Sequence, residues 1–232
     1  MRAASAAILL ALLLGLSGAV SASAEVLQYF SSEGALLPQA RPPLRQAASL
    51  PEGIKPRADT SYQFYPVFGK TFAELLRSVE ENAPIPAGSG GRAASRLDWK
   101  VGISYSIEYD YESDEETGSI TASIQLVSVS LRNEYVIVLP AAVNDSSLNP
   151  VERTLFRTYV AKLIETEYAK IRKIEDPALF KSLRDHFSEL EEIQLAKGSE
   201  ANIEQLIERS VRQETAKIAK DYVRAVKESL NK

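Results

Sequence analysis

Hydrophobic positions along this chain change period several times, and each change marks an element. From Leu97 to Glu112, LDWKVGISYSIEYDYE alternates strictly. Trp99, Val101, Ile103, Tyr105, Ile107, Tyr109 and Tyr111 fall on one face, and Lys100, Gly102, Ser104, Ser106, Glu108 and Asp110 on the other. Period two predicts a long, half-buried strand. The chain turns at ESDEETGS and returns through ITASIQLVSVSLRNEYVIVLP, whose phase shifts between Leu126 and Val127, the mark of a bulge or an offset pairing. Arg132-Asn133 predicts a further turn, leaving EYVIVLP as a third strand. Tyr62, Phe64 and Val67 alternate as a shorter strand upstream. One buried face and one wetter face predict an antiparallel sheet.

Helical spacing takes over elsewhere. Thr71 with Glu74 three residues later makes a capping box, Phe72, Leu75, Leu76 and Val79 give an apolar face, and Pro84 and Pro86 end the helix. Asn149, Pro150 and Glu152 open a second helix that runs to about Glu175. Asp176-Pro177 starts a third, predicted to end near Gly198. Ser199 caps a fourth to Leu230, with Ile203, Leu206, Ile207, Val211, Ile218, Tyr222, Val223, Val226 and Leu230 on its stripe. From Asn149 onward the pattern predicts helix throughout. The fold class expected is α+β: a small antiparallel sheet with one N-terminal helix and three C-terminal helices, one domain over residues 61–232.

The beginning of the chain reads differently. Arg2 precedes an apolar run, Ala6 to Val20, and Ala22-Ser23-Ala24 has the small-residue form of a cleavage site. The run is shorter than the ~20 residues of a spanning helix. Residues 1–24 are therefore expected to be a signal peptide, with the mature protein starting at Glu25 in the periplasm or outside the cell. Residues 25–60, rich in Pro and breakers, read as an extended arm or linker. No later segment is apolar enough to span a membrane, so no integral span is expected after cleavage.

Composition removes several chemistries. The chain has no cysteine, which excludes disulfides, thiol catalysis, thiolate metal sites and a lipidated N-terminal cysteine. Formal net charge is −4 with no basic cluster, which excludes nucleic acid as a partner. GSGG (Gly88 to Gly91) lacks a following G-K-[ST] and reads as a flexible loop. DYESDEE (Asp110 to Glu116) lacks the central glycine of an EF-hand and reads as a solvated hairpin tip. The single histidine, His186, lies near the apolar face of its helix with no G-x-S-x-G stretch to supply a nucleophile, and reads as a packed or rim residue. Asn144-Asp145-Ser146 is a glycosylation sequon, relevant only to a host with an endoplasmic reticulum.

One helix carries an anomaly. At about 100° per residue, Phe156, Val160, Leu163, Ile171 and Ile174 share a narrow arc, and Glu167 falls in its middle with Thr166 and Lys170 on the flank. A carboxylate inside an apolar stripe needs a partner. Thr166 and Lys170 are four apart with Glu167 beside the first, which is the spacing of H-E-x-x-H, two imidazoles for zinc and a general base.

The order of these elements resembles a bacterial family of otherwise unknown function identified as predicted secreted zinc-dependent proteases. YPVFGKTFAELL (Tyr65 to Leu76) is similar to that family's Y-x-V-x-G-x-T-x-x-E-L stretch; LDWKV with Trp99, VIVLP with Leu139-Pro140 and then LIETEYAK follow in the family's order. Leu97 stands where a threonine is common. The resemblance implies a zincin-like scaffold, with Thr166 and Lys170 in the positions of the two zinc histidines and Glu167 in that of the general base. Both histidines are gone, and one histidine in the chain cannot supply the about three ligands of a catalytic zinc. No metal and no cofactor are expected. Glu167 and Lys170 then either pair across one turn or both reach solvent. The function expected is that of an exported, non-catalytic pseudo-protease binding a peptide or an envelope protein. The alternative is a metal-independent hydrolase using Glu167 with a second carboxylate or a Ser-Lys pair.

Overall fold

A computed structural model describes residues 22–31, 36–37, 50–84, 92–114, 116–196 and 202–231. The expected leader as far as Ser21, residues 32–35 and 38–49 of the proline-rich arm, the GSGG loop and the expected cap Ser199 lie outside these residues. In chain order the elements are β1 (Ala22–Ser31), β2 (Leu36–Leu37), β3 (Thr60–Val67), α1 (Phe72–Asn82), β4 (Arg96–Asp114), β5 (Ser119–Ala142), α2 (Pro150–Ile174), α3 (Pro177–Ser188), β6 (Glu192–Ala196) and α4 (Ile203–Leu230). The strands hydrogen-bond in the order β2-β1-β4-β5-β3, with β6 also on β5.

The alternation read from the sequence appears on β4, where Trp99, Val101, Ile103, Tyr105, Ile107 and Tyr109 are buried. On β5 the buried positions are even up to Ile124, and the less exposed positions are odd from Val129 through Ile137, with Tyr135 and Ile137 buried. The parity changes across two consecutive exposed residues, Val127 and Ser128; from Ile137 to Pro140 both faces are buried. The phase shift expected after Leu126 is therefore real. The turn expected at Arg132-Asn133 is not, because β5 is one strand through both residues. Neither residue leaves extended backbone; the positive φ that two-residue hairpin turns of types I′ and II′ need is found among the described residues only at Gly53 and Gly118. Gly118 closes the β4–β5 hairpin, its N–H donating to the carbonyl of Asp114 at 2.9 Å.

Two further expectations are corrected. The sheet is mixed, not antiparallel: β3 runs parallel to the end of β5, from Thr60 beside Tyr135 to Val67 beside Ala142. A strand's period specifies which face is buried and says nothing of its direction, and β3 reaches β5 only after α1 and β4 intervene. The region after Asn149 is also not all helix. α3 ends at Ser188, and Glu192–Ala196 pairs antiparallel with Ser119–Ser123. Ile193 and Leu195, two apart, are spaced for a strand; their neighbours Glu192 and Gln194 are exposed.

The chain divides into two compact units. One contains Ile103–Ser130 and Lys181–Asp221. Its core includes Ile107, Ile120, Leu183, Phe187, Ile207 and Val211. Here the Tyr105 ring lies 5.4 Å from that of Phe187, and its hydroxyl is 3.0 Å from Thr215 Oγ1, a polar pair sealed within apolar surroundings.

The other unit contains Gln28–Gly102, Leu131–Phe180 and Tyr222–Lys232. It shows why the YPVFGKTFAELL stretch has its form. Val67 is buried, and the Tyr65 hydroxyl donates to the carbonyl of Ala94 at 2.8 Å. Gly69 lies against α1 so closely that a Cβ would stand 2.8 Å from Leu75 N and 2.8 Å from Glu74 Cβ. Thr71 Oγ1 accepts from the N–H of Glu74 at 3.3 Å, and Glu74 reaches back to the N–H of Lys70, one residue before the expected capping-box partner. Glu152 of α2 accepts from the N–H of Phe72 at 2.5 Å, so a second carboxylate satisfies the start of α1.

Candidate functional site

α2 begins as expected, with Asn149 accepting from the N–H of Glu152 at 2.9 Å and Pro150 in the first turn. Its buried stripe is Phe156, Val160, Ile164, Glu167, Ile171 and Ile174, so Ile164, not Leu163, completes the arc. Glu167 lies within it with 0 % exposure.

The carboxylate has two partners. Lys170 Nζ donates to Oε1 at 2.9 Å and lies 2.8 Å from Oε2. Ser95 Oγ donates to Oε1 at 2.5 Å. Oε2 thus has an ionic contact but no directional hydrogen bond of its own. Of the two readings of Glu167 and Lys170, paired or both in solvent, the pair is what forms. Lys170 extends its ammonium across one helical turn with its side chain 42 % exposed, while the carboxylate is sealed. This is the chemistry a buried charge requires: a counter-ion and a hydrogen bond together.

Thr166 takes no part. It is exposed, and its hydroxyl donates to the carbonyl of Lys162 at 3.0 Å, the back-bonding typical of a helical threonine facing solvent. His186 is exposed on α3, its Nδ1 2.6 Å from the carbonyl of Ser182, four residues back in its own helix. The structure therefore brings together Glu167 and Lys170 and leaves the Thr166 hydroxyl out of the pair.

Ser95 was not legible beforehand. It precedes β4 outside the alternating run, and nothing in AASRLDW distinguishes its hydroxyl from that of any loop serine.

Donor chemistry decides the metal question at this position. A catalytic zinc wants neutral imidazoles or thiolates. Here a carboxylate faces an ammonium, and the ammonium would repel a cation. Among the described residues no three His, Cys, Asp or Glu side chains are grouped to hold an ion. The residues present do not fit zinc.

A second cluster clamps the far end of α2. Arg57 donates to Asp59 through Nε (3.1 Å) and Nη2 (2.9 Å), and to Glu175 through Nη2 at 2.6 Å, while its guanidinium lies 5.9 Å from the centre of the Tyr135 ring. Burial pushes the Asp59 carboxyl up, but the hydrogen bonds from Arg57 and Thr60 and the guanidinium charge outweigh it, and the group stays below its ordinary value. The hydroxyls of Tyr62 and Tyr168 meet at 2.5 Å, and Tyr168 donates to the carbonyl of Lys55 at 3.1 Å. These contacts tie the strand entry at 55–62 to α2.

Residues 62–228 match the family described as "Bacterial protein of unknown function (DUF922)". The chain belongs to that family. The match begins at the tyrosine of β3 that meets Tyr168 and ends inside α4, so it takes in both clusters on α2. No curated protein and no solved structure matches the chain. No helix among the described residues is long and apolar enough to cross a membrane.

Proposed function

We propose that this chain is an exported, non-catalytic member of its family, built on a protease-like scaffold and acting by binding a peptide or an envelope protein. The observation that carries the reading is the sealed Ser95–Glu167–Lys170 cluster. A general base must accept a proton from water or substrate, within hydrogen-bond reach of it. Glu167 Oε1 is engaged by a serine and an ammonium, Oε2 faces the same ammonium, and the residue has no exposed surface through which a substrate could reach it. The cation that a metalloenzyme would take from solution is here part of the chain. Binding is supported by the sheet edge: β3 ends the strand order, with no described strand beyond it, and an extended peptide adds to such an edge through main-chain hydrogen bonds. Export is supported by Arg2, the apolar run and Ala22-Ser23-Ala24.

The experiment is zinc content per chain after exposure to excess zinc, run beside a protease assay on an unfolded protein substrate. Zinc far below one per chain and no turnover are expected. Stoichiometric zinc, or turnover abolished by Glu167→Gln, overturns the reading.

A second reading has its own observation. Ser95 and Lys170 both bind Glu167, so of the two metal-independent hydrolases considered, the Ser-Lys form has its groups together. Turnover of an ester substrate that is lost in Ser95→Ala would favour it; an inert parent chain rejects it.

A further inference from the structure

Away from the Glu167 cluster, an open cleft of about 620 Å³ lies where β3 runs into α1. Its lining is unusual in three ways. First, Phe68 stands at its rim with 57 % of its surface exposed, the most exposed aromatic among the large apolar residues of the described chain. Second, the charged groups on its wall balance: Lys70 and Arg77 against Glu74 and Glu81. Third, most of its polar groups are planar amides, carboxylates and a guanidinium, with hydrogen-bonding capacity left over.

That spare capacity can be followed atom by atom. Ser78 forms the floor and is already satisfied, accepting from the N–H of Phe68 at 2.9 Å and from Asn82 Nδ2 at 3.0 Å. Asn82 spends its NH2 on Ser78, leaving its carbonyl oxygen as an acceptor. Asn144 makes no side-chain cap bond to the short 3-10 turn it precedes and is exposed. Neither Lys70 nor Arg77 has an ion-pair partner among the described residues. The site is therefore held in shape from beneath while its upper groups remain available.

The geometry points to a neutral oligosaccharide as the ligand of this cleft. A sugar ring has one flat face of C–H groups, which packs against a single exposed aromatic ring, and a rim of hydroxyls that donate and accept at once. Planar amides, carboxylates and guanidinium are matched to that rim. A charge-balanced wall gives no advantage to an anionic or a cationic ligand. A peptide would instead need an enclosed pocket for an anchoring side chain or a strand edge for its main chain. This cleft has one open ring and no strand edge in its lining. The volume suits two or three sugar rings on the scale of small-ligand sites. The inference is independent of the peptide-binding reading, which concerns the Glu167 region and the edge of β3.

The test uses the purified full chain titrated with chitotriose, cellotriose, maltotriose and mannotriose up to about 10 mM, where even millimolar affinity registers. One or more should bind. Phe68→Ala should then weaken binding by about 10-fold or more, and Arg77→Ala and Asn144→Ala by smaller factors, all with unchanged thermal unfolding. Val127→Ala, which removes an exposed apolar side chain elsewhere, should leave binding unchanged. No binding across the four sugars overturns the proposal. So does binding that Phe68→Ala and Arg77→Ala leave intact, or displacement of the sugar by an unstructured peptide of mixed sequence.

Discussion

The ammonium of Lys170 straddles the carboxylate of Glu167, 2.9 Å from one oxygen and 2.8 Å from the other, yet the two residues share burial very unequally. The lysine side chain keeps 42 % of its surface and the glutamate 1 %. Removing one partner is therefore not equivalent to removing the other.

Lys170→Met strands a buried carboxylate with only Ser95 for company. Because the lysine is itself half in solvent, the cost is expected below that of a fully buried pair, at about 1–3 kcal/mol. Glu167→Gln keeps the shape and leaves Lys170 free to hydrate, and should cost less. Joining Lys170→Met to Glu167→Leu removes both charges and should recover most of the loss. Urea unfolding measures all three. A Lys170→Met protein as stable as its parent would show that the ammonium contributes nothing to holding the carboxylate.

The Arg57 cluster predicts an acid dependence with a definite sign. Asp59 is held below its ordinary value in the folded chain, where its partners outweigh the effect of burial. A depressed carboxyl contributes stability that is present above the unfolded pKa, near 4, and is lost as pH falls through the lower folded value. The stability gap between parent and Asp59→Asn should thus be constant from about pH 7 to about pH 4 and close below it. A gap that persists undiminished in stronger acid would mean the carboxylate's charge is not what stabilises.

How much of this could be read from the residues alone follows a physical line. Positions whose burial repeats were legible: the face of β4, the parity change in β5, the stripe of α2 with a carboxylate at its centre. Local backbone chemistry was legible too, through Thr71, Asn149 and Pro150. What escaped was everything that depends on pairing across the chain. The parallel match of Thr60 with Tyr135 has no local signature, nor does the meeting of Ser95 with Glu167, 72 residues apart. Arg132-Asn133 misled because turn propensity is weak beside the ladder of a long strand. α4 was placed correctly, but its first turn is capped by Asn202, whose Oδ1 accepts from the N–H of Glu204 at 3.0 Å.

Gly69 offers a test of the family-like stretch. Its conformation is ordinary, so the requirement is one of space: a Cβ would meet the α1 backbone at Leu75 N, which cannot swing aside. Gly69→Ala should cost about 1–3 kcal/mol through displacement of α1. Gly53→Ala meets nothing within 4 Å, but its φ of 87° is strained for any side chain, so its cost should come out near 1 kcal/mol. Thermal unfolding ranks the two. An equal or inverted ranking would mean that α1 can retreat from β3 at little cost.

The phenols predict the alkaline limit. Burial raises Tyr135, with the charge of Glu175 adding to it; burial raises Tyr109 to about 12, with Glu204 and Glu208 adding; burial alone takes Tyr222 to about 12. Tyr65, Tyr105, Tyr111, Tyr159 and Tyr168 shift the same way, burial first. A group whose folded pKa is raised leaves stability intact below the unfolded value, near 10, and withdraws it as pH climbs toward the folded value. Stability should therefore hold level to about pH 9 and then fall steeply, because each phenol ionises more readily in the unfolded chain. Phenolate absorbance followed beside circular dichroism resolves the point. Most of the ten tyrosines should ionise in one wave that coincides with loss of structure. If the majority instead titrate near pH 10 while the fold persists, the phenols are hydrated and do not set the alkaline limit.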